Sequence, residues 1–172
     1  MALHLIIDGY NLIRQSPWLS RIEAGDLQAG REALLTRLAA YRRTRPQLKV
    51  TVVFDGWLAG ERQEGRDLYQ GIVVIFSRRG EKADEVIKRL LAQESKGTVV
   101  VSSDREIRDF ADGRGATWVT AGQFESLYLY QAGGDADTTG PEPASSTGSA
   151  KKGPARRPSK RQRQRQQRLR KL

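Results

Sequence analysis

The sequence predicts an α/β protein in which a mostly parallel five-stranded sheet lies between two layers of helices. Short runs of residues that are apolar almost throughout are typical of strands buried on both faces of a sheet. Five such runs occupy residues 3–7, 49–54, 72–76, 98–101 and 117–119. Segments with helical spacing of apolar residues fall between most of these runs, and this alternation favours a parallel sheet covered by helices.

Helical periodicity is visible in four segments between or after the strands. Over about residues 27–44 the apolar residues fall on one helical face, and a proline follows the end of the segment. Residues 83–91 carry apolar side chains at the spacing i, i+3, i+4, i+7 and i+8. A shorter apolar stripe ends before Gly113. Thr120 and Gln123 have the spacing of a capping box, which predicts the start of a final helix.

Two segments lack either pattern. Residues 55–70 contain three glycines among charged residues, and we interpret them as a mobile loop beside the functional site. Residues 133–158 contain no large apolar side chain, so they cannot bury enough surface to offset the entropy of ordering. The sequence therefore predicts a folded domain over 1–133 and a disordered linker and basic tail over 134–172.

Positive charge is concentrated in that tail. The chain has 30 Lys and Arg against 20 Asp and Glu, a net charge of +10. Eleven of the basic residues lie in 151–172, which contains no acidic residue, so residues 1–150 are nearly neutral, with 19 basic and 20 acidic residues. Such a tail suits contact with RNA or a ribosome and could become helical there, although a solubilising role is the simpler alternative.

The chain has no Cys and a single His, and this excludes several kinds of chemistry. Disulfides, thiolate metal sites, a Cys nucleophile and paired imidazole catalysis all need residues that are absent. We expect the single residue, His4, to have a structural role inside its strand. No run is long and apolar enough to span a membrane, and an Asp interrupts the first apolar run, which argues against a signal peptide. We therefore expect a cytoplasmic protein.

Carboxylates follow the predicted strands at equivalent places. Asp8 follows the first strand, Asp55 the second and Asp104 the fourth, while Asp84 lies in the first turn of a helix, one turn after Glu81. The carboxyl ends of parallel strands meet at one edge of the sheet, where ligands bind in open α/β folds. A cluster of negative charges at that edge is costly unless a cation neutralises it, and oxygen ligands without His or Cys select Mg²⁺ or Mn²⁺.

Other polar residues near these acids are candidates for contacting a phosphate. Asn11 could orient water or phosphate, or could serve as a turn or cap residue. Ser102 and Ser103 could bind a phosphate, or could cap the helix that starts near Asp104. Arg78 and Arg79, with Lys82 nearby, could contact an RNA backbone, although a solvated loop also explains such charges.

Five motifs, in this order and spacing, resemble the NYN domain of the YacP-like family, which belongs to the PIN-like nucleases. They are DGYN at 8–11, GREALLTRLAAYRR at 30–43, VVFDG at 52–56, EKADEVI at 81–87 and VVSSDREI at 100–107. The resemblance covers about residues 1–131 and leaves out the tail. It implies a Rossmann-like sheet of strand order 3-2-1-4-5 and a metal-dependent endoribonuclease, and a bacterial member of the family cuts messenger RNA in association with the ribosome.

The resemblance also implies roles for individual residues. Asp8, Asp84 and Asp104 match the family's metal-binding acids, and Asp55 matches its second-strand acid. Asn11 matches the Asn of the naming motif. Glu81 departs from the family pattern, in which a small or hydroxyl residue is common near this position.

Two alternatives are excluded on the residues and one stays open. A phosphoaspartate phosphatase needs a second Asp two residues after the first, where this chain has Tyr10, and no phosphate-binding P-loop motif is present. A non-catalytic RNA-binding or ribosome-associated module, with the tail supplying affinity, remains possible in principle. The four retained acids argue against it, because an acidic cluster repels phosphate. We therefore expect a Mg²⁺- or Mn²⁺-dependent endoribonuclease.

Overall fold

The computed structural model describes residues 3–56, 63–129 and 160–172. Within these residues a six-stranded sheet forms the centre of the fold, with the strand order β3-β4-β2-β1-β5-β6. The strands are β1 (His4–Asp8), β2 (Lys49–Phe54), β3 (Gly65–Tyr69), β4 (Ile72–Phe76), β5 (Thr98–Val101) and β6 (Thr117–Val119). All neighbouring pairs are parallel except β3 and β4. The five predicted strands and their order are confirmed, and the sheet has one strand more than predicted.

The additional strand corrects the prediction of a loop over 55–70. Residues 65–69 form β3, which pairs antiparallel with β4 through a two-residue turn at Gln70 and Gly71, both with positive φ. The sequence did not indicate a strand because β3 is a solvent-exposed edge strand whose side chains are mostly polar. Residues 57–62 lie outside the described residues.

Helices lie on both sides of the sheet. They are α1 (Gly9–Gln15), α2 (Pro17–Gly25), α3 (Leu27–Arg43), α4 (Ala83–Gln93), α5 (Arg105–Gly113), α6 (Ala121–Phe124), which continues as a π-helical turn over Glu125–Leu129, and α7 (Lys160–Leu169). The predicted helices correspond to α3, α4, α5 and α6, and the Thr120–Gln123 capping box is present. The helices α1 and α2 were not predicted. None of the helices in the described ranges is long and apolar enough to cross a bilayer.

Successive residues of the strands contribute to two separate apolar layers, as the alternation of side chains across a pleated sheet requires. Ile7 and Val52 belong to the layer that packs against α1, α2, α3 and α6. Ile6 and Val53 belong to the layer that packs against α4 and α5. The arrangement is the predicted three-layer α/β/α fold. His4 is buried within it, with Nε2 hydrogen-bonded to the Thr51 hydroxyl at 2.9 Å, as expected for a structural histidine.

The end of the predicted tail is helical and packs on the domain. Leu172 is buried with the first apolar layer, and its carbonyl accepts a hydrogen bond from the Tyr41 hydroxyl. The Arg165 guanidinium stacks on the Trp118 ring at 3.9 Å, and Arg168 donates to the Gly115 carbonyl at 3.0 Å. Residues 160–169 thus form a helix within the segment for which the sequence predicts disorder, because two leucines, Leu169 and Leu172, supply apolar contacts to the core. Residues 134–159 lie outside the described residues.

Candidate active site

A cleft of about 980 Å³ opens at the carboxyl edge of the sheet, where β1, β2 and β5 end. All four predicted acids line this cleft: Asp8, Asp55, Asp84 and Asp104. Asp8 ends β1, Asp55 follows β2, and Asp104 lies between β5 and α5. Asp84 reaches the same cleft from the first turn of α4. The topology of the sheet thus brings together acids that are up to 96 positions apart in the sequence.

Asp8 is part-buried and caps α1. Its Oδ1 accepts a hydrogen bond from the backbone N–H of Asn11 at 3.3 Å, and the Ser102 hydroxyl donates to Oδ2 at 3.5 Å. The pKa of Asp8 is raised to about 6, chiefly by burial and in smaller part by the negative charges of Asp104 and Asp84. The hydrogen bonds from Asn11 and Ser102 act in the opposite direction. The charges of Asp104 and Asp84 therefore act on the Asp8 carboxylate.

Asp104 caps α5 with a single carboxylate oxygen. Its Oδ1 accepts from the backbone N–H groups of Glu106 at 2.7 Å and Ile107 at 3.3 Å. This capping geometry fixes the side chain at the start of the helix. Both hydrogen bonds go to Oδ1, so Oδ2 of Asp104 takes part in neither of them.

Asp84 shares a cation with Glu106, an acid that the sequence did not indicate. The ammonium group of Lys88 lies 3.7 Å from Asp84 Oδ2 and hydrogen-bonds to Glu106 Oε1. The pKa of Lys88 is raised, first by the Glu106 hydrogen bond and also by the charges of Asp84 and Asp104. Glu106 lines the cleft as well, so Lys88 offsets part of the negative charge on that side.

The predicted phosphate contacts do not all reach the cleft. Asn11 lines it, but its Oδ1 accepts from the backbone N–H of Ser103 at 2.8 Å. The Ser102 hydroxyl accepts from the N–H of Asp104 at 3.1 Å, and Ser103 Oγ accepts from the N–H of Ala121 at 3.2 Å. These three side chains brace the turn that carries Asp104, and the structure does not bring Ser102 or Ser103 into the lining of the cleft.

Three of the charged residues before α4 also lie outside the cleft lining: Arg78, Arg79 and Glu81. Glu81 is buried and pairs with Arg89 and, at 3.5 Å, with Arg78. Arg79 is exposed in the turn before α4. Glu81 is therefore engaged in an ion-pair network away from the four aspartates, while Lys82 does line the cleft.

The acids fit a hard divalent cation in their chemistry. Every candidate ligand is a carboxylate oxygen, which Mg²⁺ and Mn²⁺ prefer. Within the described residues, however, no group of three or more His, Asp or Glu side chains is close enough to hold one ion together. Mg²⁺ is commonly bound by one or two carboxylates and several waters, so simultaneous ligation by three acids is not required.

Four further residues line the cleft from the side of the sheet covered by α1 and α3, while Asp84 and Glu106 come from α4 and α5 on the other side. They are Tyr10, Arg14, Arg31 and Phe76. The sequence did not indicate these residues: Tyr10 lies inside the DGYN motif, and an arginine such as Arg31 near the start of a helix is common on protein surfaces. A cleft lined by acids together with cations and aromatic rings suits a phosphate-bearing ligand.

The fold and the cleft define the class of protein: a Rossmann-like α/β domain of the PIN-like type, with acids gathered at the carboxyl edge of its sheet. The chain belongs to the YacP-like NYN domain family, which matches residues 5–171. This is the nuclease family that the five motifs resemble, and the match extends through α7, beyond the limit at about residue 131 that the motifs suggested.

Two kinds of relative support this assignment. YacP of Bacillus subtilis (strain 168) is 34% identical over 86 residues, a match that covers 50% of this chain and 49% of YacP. This match therefore spans about half the length of that relative. The crystal structure of Rae1 (YacP) from Bacillus subtilis has a TM-score of 0.62 at 28% identity, covering 77% of this chain and 75% of that chain. A crystal structure of a mutant of the same protein gives a TM-score of 0.60 at 26% identity, covering 76% of each chain.

Proposed function

We propose that this protein is a Mg²⁺- or Mn²⁺-dependent endoribonuclease that hydrolyses RNA phosphodiester bonds with water as the nucleophile. The observation that carries the proposal is that Asp8, Asp84 and Asp104 line one cleft, where the charges of Asp84 and Asp104 raise the pKa of Asp8. Membership of a nuclease family supports the same reaction class.

In this proposal Asp8, Asp84 and Asp104 hold the metal, some of them through its bound waters rather than by direct ligation, and Asp55 assists directly or through an intervening water. The chemistry that Mg²⁺ or Mn²⁺ supplies in such a cleft is activation of water and neutralisation of charge at the scissile phosphate. The caps on Asp8 and Asp104 hold both side chains in place before RNA arrives. Asn11 acts as a positioning residue, because its bond to Ser103 ties the start of α1 to the turn that carries Asp104.

The substrate class rests on a separate observation. Lys160 at the start of α7 and Arg170 and Lys171 just after its end are exposed, while Arg165 and Arg168 contact the domain. A helix that is fixed to the domain and has exposed cations at both ends can hold the backbone of RNA, including messenger RNA on a ribosome. The same cations favour the second candidate function, a non-catalytic RNA-binding module of the cytoplasm.

Cleavage of single-stranded RNA in Mn²⁺ tests the proposal. We expect cleavage by the wild-type chain and its loss in Asp8→Asn and in Asp104→Asn. Asp26→Asn is the matched control, because Asp26 also caps a helix, α3, but does not line the cleft. Asparagine is a good capping residue, so each substitution removes charge while keeping the cap.

Naked RNA and translating ribosomes are used as parallel substrates, since the site could require a ribosome-bound message. Equal cleavage by the wild type and both cleft variants on both substrates would remove the proposed site. RNA binding without cleavage of either substrate by the wild type would favour the binding module.

A further inference from the structure

The side of the cleft formed by α1 and α3 contains an arginine held in a fixed position by aromatic residues. Arg31 Nη1 donates a hydrogen bond to the Tyr10 hydroxyl at 3.0 Å. Its guanidinium carbon lies 5.5 Å from the centre of the Phe76 ring. Phe54 lies between the two rings, edge-on to Tyr10 at 5.2 Å and stacked with Phe76 at 5.6 Å. The three rings therefore form a packed group that limits the rotation of Arg31.

This group is rigidly joined to the segment that carries Asp8. Tyr10 is two residues after Asp8, in the first turn of the helix that Asp8 caps. The intervening Gly9 approaches the Phe54 ring so closely that a Cβ atom there would lie 2.4 Å from a ring carbon. A side chain at this position would push α1 away from Phe54. The position of Tyr10, and with it Arg31, is thus coupled to the position of the Asp8 carboxylate.

Within the described part of the chain Arg31 has no counter-ion, although it lines a cleft with four aspartates. Among the described residues no carboxylate lies within the 4.0 Å of an ion pair from Arg31, whereas Lys88 and Arg89 each pair with two acids. A guanidinium has five N–H donors, and the hydrogen bond to Tyr10 uses one of them. Arg31 is only partly exposed, so an anion bound there would be partly shielded from water. The cleft thus contains an oriented cation that can accept an anionic partner.

Phosphate is the anion that suits this geometry. A guanidinium binds phosphate through two parallel N–H bonds, and a fixed orientation reduces the entropy lost on binding. Aromatic side chains next to the cation suit a nucleotide, because a base can stack on a ring or on a guanidinium plane. Arg14 also lines the cleft; its guanidinium lies 5.4 Å from the centre of the Tyr10 ring, and its Nε lies 3.8 Å from a carboxylate oxygen of Glu23.

We propose that Arg31, oriented by Tyr10, binds a backbone phosphate of the RNA strand next to the one held beside the aspartates. The inference rests on the proposed nuclease function and adds a subsite that sets the path of the strand through the cleft. In this arrangement Arg31 binds the substrate equally in the ground state and the transition state, and Tyr10 is a positioning residue that acts through Arg31. The aspartates repel the RNA strand except where metal is bound. Contact with Arg31 therefore helps to determine which phosphate lies beside the aspartates.

Steady-state cleavage of a short single-stranded oligouridylate tests the subsite. We expect Arg31→Gln to raise KM about tenfold with kcat changed less than about threefold, since uniform binding affects KM alone. Arg31→Lys should recover part of this loss because it keeps the charge without the planar fork. Tyr10→Phe keeps the ring and removes the hydroxyl, and should raise KM about threefold. Arg43→Gln, an exposed change at the end of the same helix, is the matched control.

A binding measurement separates failure of this inference from failure of the proposed nuclease. Affinity for the same oligouridylate is measured in the Asp8→Asn background, with and without Arg31→Gln, over a range of salt concentrations. We expect Arg31→Gln to weaken binding about tenfold and to reduce the salt slope by about 0.7. Weaker binding in Arg31→Gln, together with no cleavage of naked RNA or of ribosome-bound message by the wild-type chain, would keep the subsite and reject the nuclease. Binding and KM equal to those of Arg43→Gln would overturn the subsite whatever the outcome of the cleavage assay.

Discussion

Asn11 and Ser103 are 92 positions apart in the sequence, and a 2.8 Å hydrogen bond joins the Ser103 backbone N–H to the Asn11 side-chain oxygen. Asn11 lies in α1, and Ser103 precedes the Asp104 cap of α5. The bond thus connects the two segments that carry Asp8 and Asp104.

Replacing Asn11 by Ala should destabilise the fold, because the part-buried N–H of Ser103 loses its acceptor. An unsatisfied backbone donor costs about 1 to 2 kcal/mol. Urea denaturation of Asn11→Ala and wild type measures the difference. Asn11→Asp keeps an acceptor oxygen and should retain more of the stability, so an equal loss in both variants would contradict the hydrogen-bond explanation.

Asp8→Asn should make the protein more stable at pH 7 while removing its proposed activity. Burial raises the pKa of Asp8 to about 6 from 3.8, so the folded state binds this proton more tightly than the unfolded state. Above pH 6 the ionised carboxylate costs the metal-free fold on the order of 1 to 3 kcal/mol. As the pH falls through 6 toward 3.8, protonation relieves that cost.

Thermal unfolding of the metal-free protein at pH 7 and pH 4 measures this effect. We expect Asp8→Asn to raise Tm at pH 7 and to have a much smaller advantage at pH 4. Asp26→Asn, at an exposed cap, should give no such gain. A lower Tm for Asp8→Asn at pH 7 would show that the charge is favourable in the folded state.

His4 should have the opposite effect to Asp8, so that its contribution to the free energy of unfolding decreases as the pH falls. Burial lowers the pKa of His4 below 6.5, the nearby charge of Lys49 lowers it further, and Glu94 partly compensates. At pH values above 6.5 the ring is neutral in both states. Below 6.5 the unfolded chain takes up a proton that the folded chain resists, so stability falls until the pH passes the lowered pKa. Free energies of unfolding between pH 8 and pH 5 should therefore fall less steeply in His4→Gln than in wild type.

The exposed cations around α7 and the arginines that contact the domain should have separable effects on RNA binding and on stability. Lys160, Arg170 and Lys171 are exposed, so changing all three to Gln should leave Tm unchanged and reduce the salt slope of single-stranded RNA binding by about 2. Arg165→Gln should instead lower stability by about 1 kcal/mol, because it removes the stacking on Trp118. An unchanged salt slope in the triple variant would show that these three cations serve another partner or solubility rather than RNA binding.

The parts of the fold that could be predicted are those with strong apolar patterns. The five parallel strands are apolar because both faces are buried, and α3, α4 and α5 carry clear apolar stripes. Strand β3 has no such pattern because it is exposed at the sheet edge. The short helices α1 and α2 depend on caps by Asp8 and Ser16 and on packing against the sheet. Helix α7 was missed because only Leu169 and Leu172 indicate that it packs on the core.

The candidate site also has residues that could be predicted from the sequence and residues that could not. The aspartates could be predicted to converge, because parallel strands end at one edge and each acid follows a strand or begins a helix. Arg31 could not, since its relation to Tyr10 depends on how α3 packs across α1, and no local pattern encodes that contact. The bracing roles of Ser102 and Ser103 likewise depend on neighbours distant in sequence.

Three helices, α1, α4 and α5, begin at the cleft: Asp8 and Asp104 accept hydrogen bonds from backbone N–H groups in the first turns of α1 and α5, and Asp84 lies in the first turn of α4. The partial positive charge at these helix starts offsets some of the mutual repulsion of the carboxylates. Lys88 offsets a further part on the side of Asp84 and Glu106. The domain can therefore assemble its acidic cleft before any divalent ion is present, and an ion bound afterwards would add stability by relieving the remaining repulsion among the carboxylates.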